Sequence, residues 1–127
     1  MSLIRRCPVE NPCEASTFEE AFEKNAIRYA FERDESTSLY ADMKRDNDPH
    51  AESVNPEFWK GCVEANDVAR KIWAEEKSLL RTAQRLEDLR TGAFELSSAL
   101  CRKGFNSALE HYVDAFRKND PSIIVWW

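Results

Sequence analysis

Glycine and proline are scarce in this chain, at three and five residues of 127. All-β architectures need many turns and spend both residues on them, so the shortage argues against such a fold. Long apolar runs are also missing. The longest is residues 123–127, far short of the roughly 20 that cross a bilayer as a helix. The opening stretch MSLIRRCPVENPC carries charges where a secretory leader keeps an apolar segment. Glu10 and Glu14 follow Arg5 and Arg6 too closely for an organelle-targeting peptide, which avoids acids. These absences predict a soluble, intracellular protein with no membrane span, in a reducing compartment. Basic charge is short as well: 18 Lys and Arg stand against 23 Asp and Glu, a net charge of −5. That balance counts against a nucleic-acid surface, which needs a cation excess to displace counterions. There are only two histidines, His50 and His111. Neither sits in a triad-like setting, and no Glu-x-x-His occurs, so neither a His-activated nucleophile nor a carboxylate-bridged di-iron bundle is indicated. Three isolated glycines make no phosphate-binding loop.

What is present is a helical pattern. With 43% hydrophobic and 32% charged residues, the chain reads as one globular domain over residues 1–127. Residues 1–15 form an irregular arm, broken by Pro8 and Pro12. Ser16-Thr17-Phe18-Glu19 has the form of a capping box opening a helical segment over residues 16–46. There Phe18, Phe22, Ala26 and Ala30 recur every four residues, with Ile27 and Phe31 beside them, giving one broad apolar face. The polar stretch RDESTS, residues 33–38, either ends this helix or is run through. Residues 47–55 are a loop by composition, and Asn55-Pro56 has the form of an N-cap with proline at the first helical position. A long helical region spans 56–118, with Ile72, Leu79, Leu86, Ala93 and Leu100 on a seven-residue repeat. Gly92 and Gly104 mark candidate breaks in it, and residues 119–127 form an extended apolar tail. The expected architecture is an all-α bundle of three to five helices with one long central helix.

Functional candidates are few. Cys7, Cys13, Cys62, Cys101 and the two histidines lack the paired spacing of a zinc site, so no metal or other cofactor is expected; Cys62 and Cys101 read as small core residues. Lys77, Arg81 and Arg85, spaced four apart, make a basic row. It is either a docking strip or a solvated face balanced by Glu75, Glu76, Glu87 and Asp88. Trp59 and Trp73 lie two heptads apart with Asn66 midway, on nearly one helix face, suited either to the core or to another chain. The tail, with Ile124, Trp126 and Trp127, has three open fates: folding back over its own bundle, docking on a partner, or resting at a membrane interface.

Two acidic pairs stand out separately. Glu32 and Glu35 in ERDE are followed, after 28 residues, by Glu64 and Asp67 in EAND. This is similar to the Glu-x-x-Glu…Glu-x-x-Asp arrangement of MazG-type nucleoside triphosphate pyrophosphohydrolases. The resemblance covers these four residues. It implies an all-α fold whose carboxylates hold Mg²⁺ against a triphosphate while water attacks. The chemistry is consistent with the spacing, because pairs three apart share a helix face and carboxylate oxygens suit Mg²⁺. Two function classes are therefore set against each other. The first is a non-enzymatic helical module binding a protein partner, a larger assembly or a second copy of itself. It would act through its arm, its tail and an aromatic helix face: Ile124, Trp126, Trp127, Trp59 and Trp73, with Arg81 and Arg85 as polar support. The alternative is an Mg²⁺-dependent nucleotide hydrolase using Glu32, Glu35, Glu64 and Asp67.

Overall fold

Four helices carry the fold in a computed structural model, which describes residues 15–92, 96 and 98–124. They are α1 (Phe18–Arg45), α2 (Glu57–Glu76), α3 (Leu79–Thr91) and α4 (Ala99–Lys118), with short 3-10 turns at Ala51–Val54 and Pro121–Ile123. The all-α bundle is thus as the residue patterns indicate. Among the described residues there is no strand, and no helix is long and apolar enough to cross a membrane. Residues 1–14 of the arm, Ala93, Trp126 and Trp127 lie outside the described residues.

The ends of the helices follow from local chemistry. Helix α1 is capped one residue later than Ser16-x-x-Glu19 suggests. Thr17 Oγ1 accepts from the Glu20 N–H at 3.1 Å, and the Glu20 carboxylate accepts from the Ser16 N–H at 3.2 Å. Those backbone and Lys24 contacts hold the Glu20 pKa below its usual value. The helix runs straight through RDESTS, because nothing there breaks it. No glycine or proline occurs between residues 18 and 45, and Thr37 satisfies its hydroxyl on the Arg33 carbonyl one turn back, at 2.7 Å. Helix α2 starts one residue later than Asn55-Pro56 suggests: Pro56 is its N-cap, and the Asn55 side chain accepts from the Glu57 N–H at 3.0 Å.

The 56–118 region is divided in two places and left whole in a third. Its first break carries no glycine or proline. Lys77 closes α2 in the left-handed conformation (φ 52°), and Ser78 opens α3 by accepting from the Arg81 N–H. The second falls at Gly92, where a turn is expected, since Gly92 caps α3. Gly104, in contrast, breaks nothing and lies inside α4. The seven-residue row is therefore shared out: Ile72 belongs to α2, Leu79 and Leu86 to α3, and Leu100 to α4.

Gly104 has a different task. A methyl group built on it would overlap the Phe58 carbonyl, lying 2.8 Å from the carbonyl carbon. One built on Gly61 would overlap the Cys101 carbonyl and lie 2.7 Å from the Phe105 nitrogen. The two glycines face each other across a backbone-to-backbone crossing of α2 and α4, which only residues without Cβ permit. The contacts Phe58–Gly104, Asn66–Tyr112 and Trp73–Phe116 advance together along both chains, so these two helices run parallel. Helices α1 and α3 run antiparallel to them on either side. Among the described residues α1 and α3 have no close backbone approach to each other. The bundle is a flattened up-down-up-down arrangement, collapsed along the α2–α4 diagonal. Its core holds Phe22, Leu86, Phe105, Leu109, Tyr112 and Phe116, each with essentially no exposure.

Candidate functional site

The stripe Trp59–Asn66–Trp73 faces α1. Trp73 Nε1 donates to Glu19 Oε1 at 3.0 Å, Asn66 Nδ2 donates to the Phe22 carbonyl at 3.1 Å, and Trp59 packs on Tyr29 with centroids 6.1 Å apart. Three contacts spaced along two antiparallel helices make this stripe the α1–α2 seam. Asn66 is wholly committed there. The two indoles stay partly exposed at its ends, each lining a different groove.

The middle of the bundle holds a buried polar cluster. Asn25 Nδ2 donates to Tyr112 Oη at 3.2 Å and to the Ile124 carbonyl at 3.0 Å, while Tyr112 Oη donates to Asn66 Oδ1 at 2.9 Å. Three helices and the start of the tail thus meet at one phenol. Burial pushes the Tyr112 and Tyr29 phenols well above their usual range, and the Cys62 thiol up to about 12. None of these groups ionises near neutrality, which suits a structural cluster and not a nucleophile or a base. Asn25 Oδ1 has no protein partner among the described residues.

The same cluster corrects the expectation for Ile124. Only 1% of the residue is exposed, its side chain belongs to the core and its carbonyl is held by Asn25. It caps its own bundle and offers no surface to a partner. Apolar burial together with an available amide donor outweighs presenting an isoleucine to water.

The basic row also changes character, because its helix ends between its first and second members. Arg85 turns back onto α2, with Nη1 at 2.8 Å from Glu75 and 3.1 Å from Glu76; both hydrogen bonds raise its pKa, and the first lowers that of Glu75. It staples the α2–α3 hairpin while remaining exposed. Arg81 is exposed. Nor do the four carboxylates of the hydrolase resemblance come together. Glu32 pairs with Arg28, Glu64 and Asp67 are exposed, and among the described residues no three His, Cys, Asp or Glu side chains converge on a metal-sized site.

Trp73 lines the most distinctive groove. Its ring packs against the stacked Phe18–Phe116 pair, at 5.3 and 5.2 Å from the two rings, and its N–H is fixed by Glu19. Phe22, Ala74, Arg70 and Lys77 complete a groove of about 480 Å³ between the start of α1 and the end of α2. The indole is locked from two sides yet still meets solvent. The period of the tryptophans points to Trp73. Glu19 and Phe22 join it only through the antiparallel pairing of α1, which leaves no local mark in the sequence. Trp59 lines a smaller cleft of about 310 Å³ with Glu52, Val54, Phe58, Leu100 and Lys103. A third groove, between α3 and α4, is lined chiefly by charge: Glu87, Arg90, Glu110, His111, Asp114 and Arg117. There Glu87 and Arg90 are bonded to each other. Compared with protein-family models, curated proteins and solved structures, the chain matches none.

Proposed function

We propose that this protein is a non-enzymatic helical interaction module that holds a protein partner at the Trp73 groove. The supporting observation is the immobilised, partly exposed indole, set in an apolar groove with cations at its rim. Interface hot spots favour tryptophan because a rigid aromatic group buries a large area at low cost in side-chain entropy. A ring already held by Glu19, Phe18 and Phe116 has less freedom left to lose on binding. The chemistry elsewhere leans the same way. The titratable groups of the core are held in their neutral forms, and the carboxylates required for nucleotide hydrolysis are dispersed.

Ala74→Arg tests this reading. Ala74 is exposed on α2 and lines the groove, so a long charged side chain there obstructs the groove without entering the core. The full chain is expected to co-purify with one protein in stoichiometric amount, and Ala74→Arg to lose that protein while keeping its melting temperature. The proposal fails if the variant retains every partner the original chain captures.

A further inference from the structure

We infer, resting on that reading, that the groove takes an acidic segment of its partner: carboxylates flanking one large apolar side chain. The argument begins with spacing. Arg70 and Trp73 are three apart on one face of α2, and Lys77, the residue that closes the helix, lines the same groove, so the indole stands between two cations. Seven residues of helix separate the cations by about 10 Å along the axis. That distance matches about three residues of an extended chain. Alternate side chains of an extended segment share one face, so acids at i and i+4 with an apolar side chain at i+2 meet the groove together over about 13 Å. The long Arg70 and Lys77 side chains take up the difference.

The charges are open to such a partner. Arg85, on the next helix, is occupied by Glu75 and Glu76. Among the described residues neither Arg70 nor Lys77 is in an ion pair, and both are exposed. Among the described residues Glu19 is the one carboxylate lining the groove, and its Oε1 accepts the indole N–H. The groove thus shows two cations and one hydrogen-bonded anion on a protein whose net charge is −5. The overall charge repels acidic partners at long range, so binding depends on this local reversal of sign. The apolar anchor follows from the lining: Phe22, Trp73 and Ala74 offer no uncommitted hydrogen-bonding side chain, and a polar group seated there loses water without compensation.

The test uses the full chain and a displayed library of random short peptides. Enriched peptides are then synthesised and their affinity measured by fluorescence anisotropy at low and at physiological salt. Enriched sequences are expected to be net acidic with at least one Trp, Phe, Leu or Ile. Their affinity should fall at least about tenfold in Arg70→Glu/Lys77→Glu and weaken with salt, with no change in Lys103→Glu. Ala74→Arg should abolish binding. If binding is lost in Ala74→Arg but indifferent to the double charge reversal, or if the peptides are neutral or basic, the acidic-partner inference is overturned and the groove reading survives. If Ala74→Arg leaves binding intact, or no peptide is enriched, both are overturned. Sedimentation with anionic phospholipid vesicles that depends on Arg70 and Lys77, in place of peptide binding, would assign the groove to a lipid surface and overturn the inference.

Discussion

Tyr112 is the residue on which the interior depends most. Its hydroxyl accepts from Asn25 and donates to Asn66, and it is wholly buried. In Tyr112→Phe, Asn25 keeps the Ile124 carbonyl as an acceptor, while Asn66 Oδ1 loses the donor it has here. A buried acceptor left without its partner costs about 1–3 kcal/mol. Urea denaturation should show a loss of that order with an unchanged slope. A neutral outcome would mean that the cluster repacks and does not hold the tail. His111 makes a second prediction at this scale. Burial lowers its pKa from the ordinary 6.5, against the opposing pull of Glu110 and Asp114; Glu87, Arg90 and Arg117 also line its groove. The fold therefore favours the neutral imidazole, whereas the unfolded chain takes up a proton near 6.5. Stability is full above that pH and declines as the pH falls through it towards the lowered folded value. Melting temperature should drop as the pH falls below about 6.5, before the carboxylates titrate, and His111→Gln should flatten that part of the profile.

Among the elements, the α2–α4 crossing decides the shape of the bundle. Gly61 and Gly104 each lie against the backbone of the other helix, so an added methyl cannot be relieved by a side-chain rotation. The helices themselves must separate. Gly61→Ala raises intrinsic helix propensity by about 1 kcal/mol, yet it should destabilise the protein by roughly 3 kcal/mol, at the upper end for overpacking. Thermal melts of Gly61→Ala and Gly104→Ala check this. A stabilised variant would show that the two helices can part at no cost. Opposite signs for the local and the tertiary effect make this the clearest test of the fold. The α2–α3 hairpin carries a smaller conflict of the same kind. Lys77 adopts a left-handed conformation at a local cost of about 1–2 kcal/mol, offset by the Ser78 cap and by the packing of Leu79, Ala83 and Leu86.

For the molecule as a whole, the diagonal crossing places all four helices on one shared core. Cooperative, two-state unfolding is the expected consequence. Cys62 and Cys101 are natural probes of it, because both are buried and free, and the Cys62 thiol is pushed up to about 12. Alkylation at mildly alkaline pH, mapped by mass spectrometry to keep Cys7 and Cys13 separate, should label both only as the urea transition proceeds. Labelling of either one well before loss of helical signal would show that the α2–α4 pair opens as a unit of its own.

Local chemistry alone determined the helical character of the chain, the break at Gly92 and the Phe18–Phe22 part of the α1 face. Each of these rests on periodicity or on a residue whose preference acts within a few positions. Farther along, the buried side of α1 runs through Asn25 and Tyr29, and Ile27, which its spacing puts on the apolar face, is exposed. Tertiary structure decided the rest. At Lys77-Ser78 no glycine or proline announces a break; Ser78 is a cap, and the rest of the turn is stabilised by the hairpin it creates. Gly104 has the appearance of a helix breaker, and its true partner, Phe58, is 46 positions away. Ile124 has the look of an adhesive surface residue until an amide on α1 and a phenol on α4 supply its buried setting. The tryptophan repeat finds the α1–α2 seam from sequence, but the groove at its end depends on Glu19 and Phe22. Their antiparallel pairing with α2 is fixed by packing between distant segments, and no spacing within either helix encodes it.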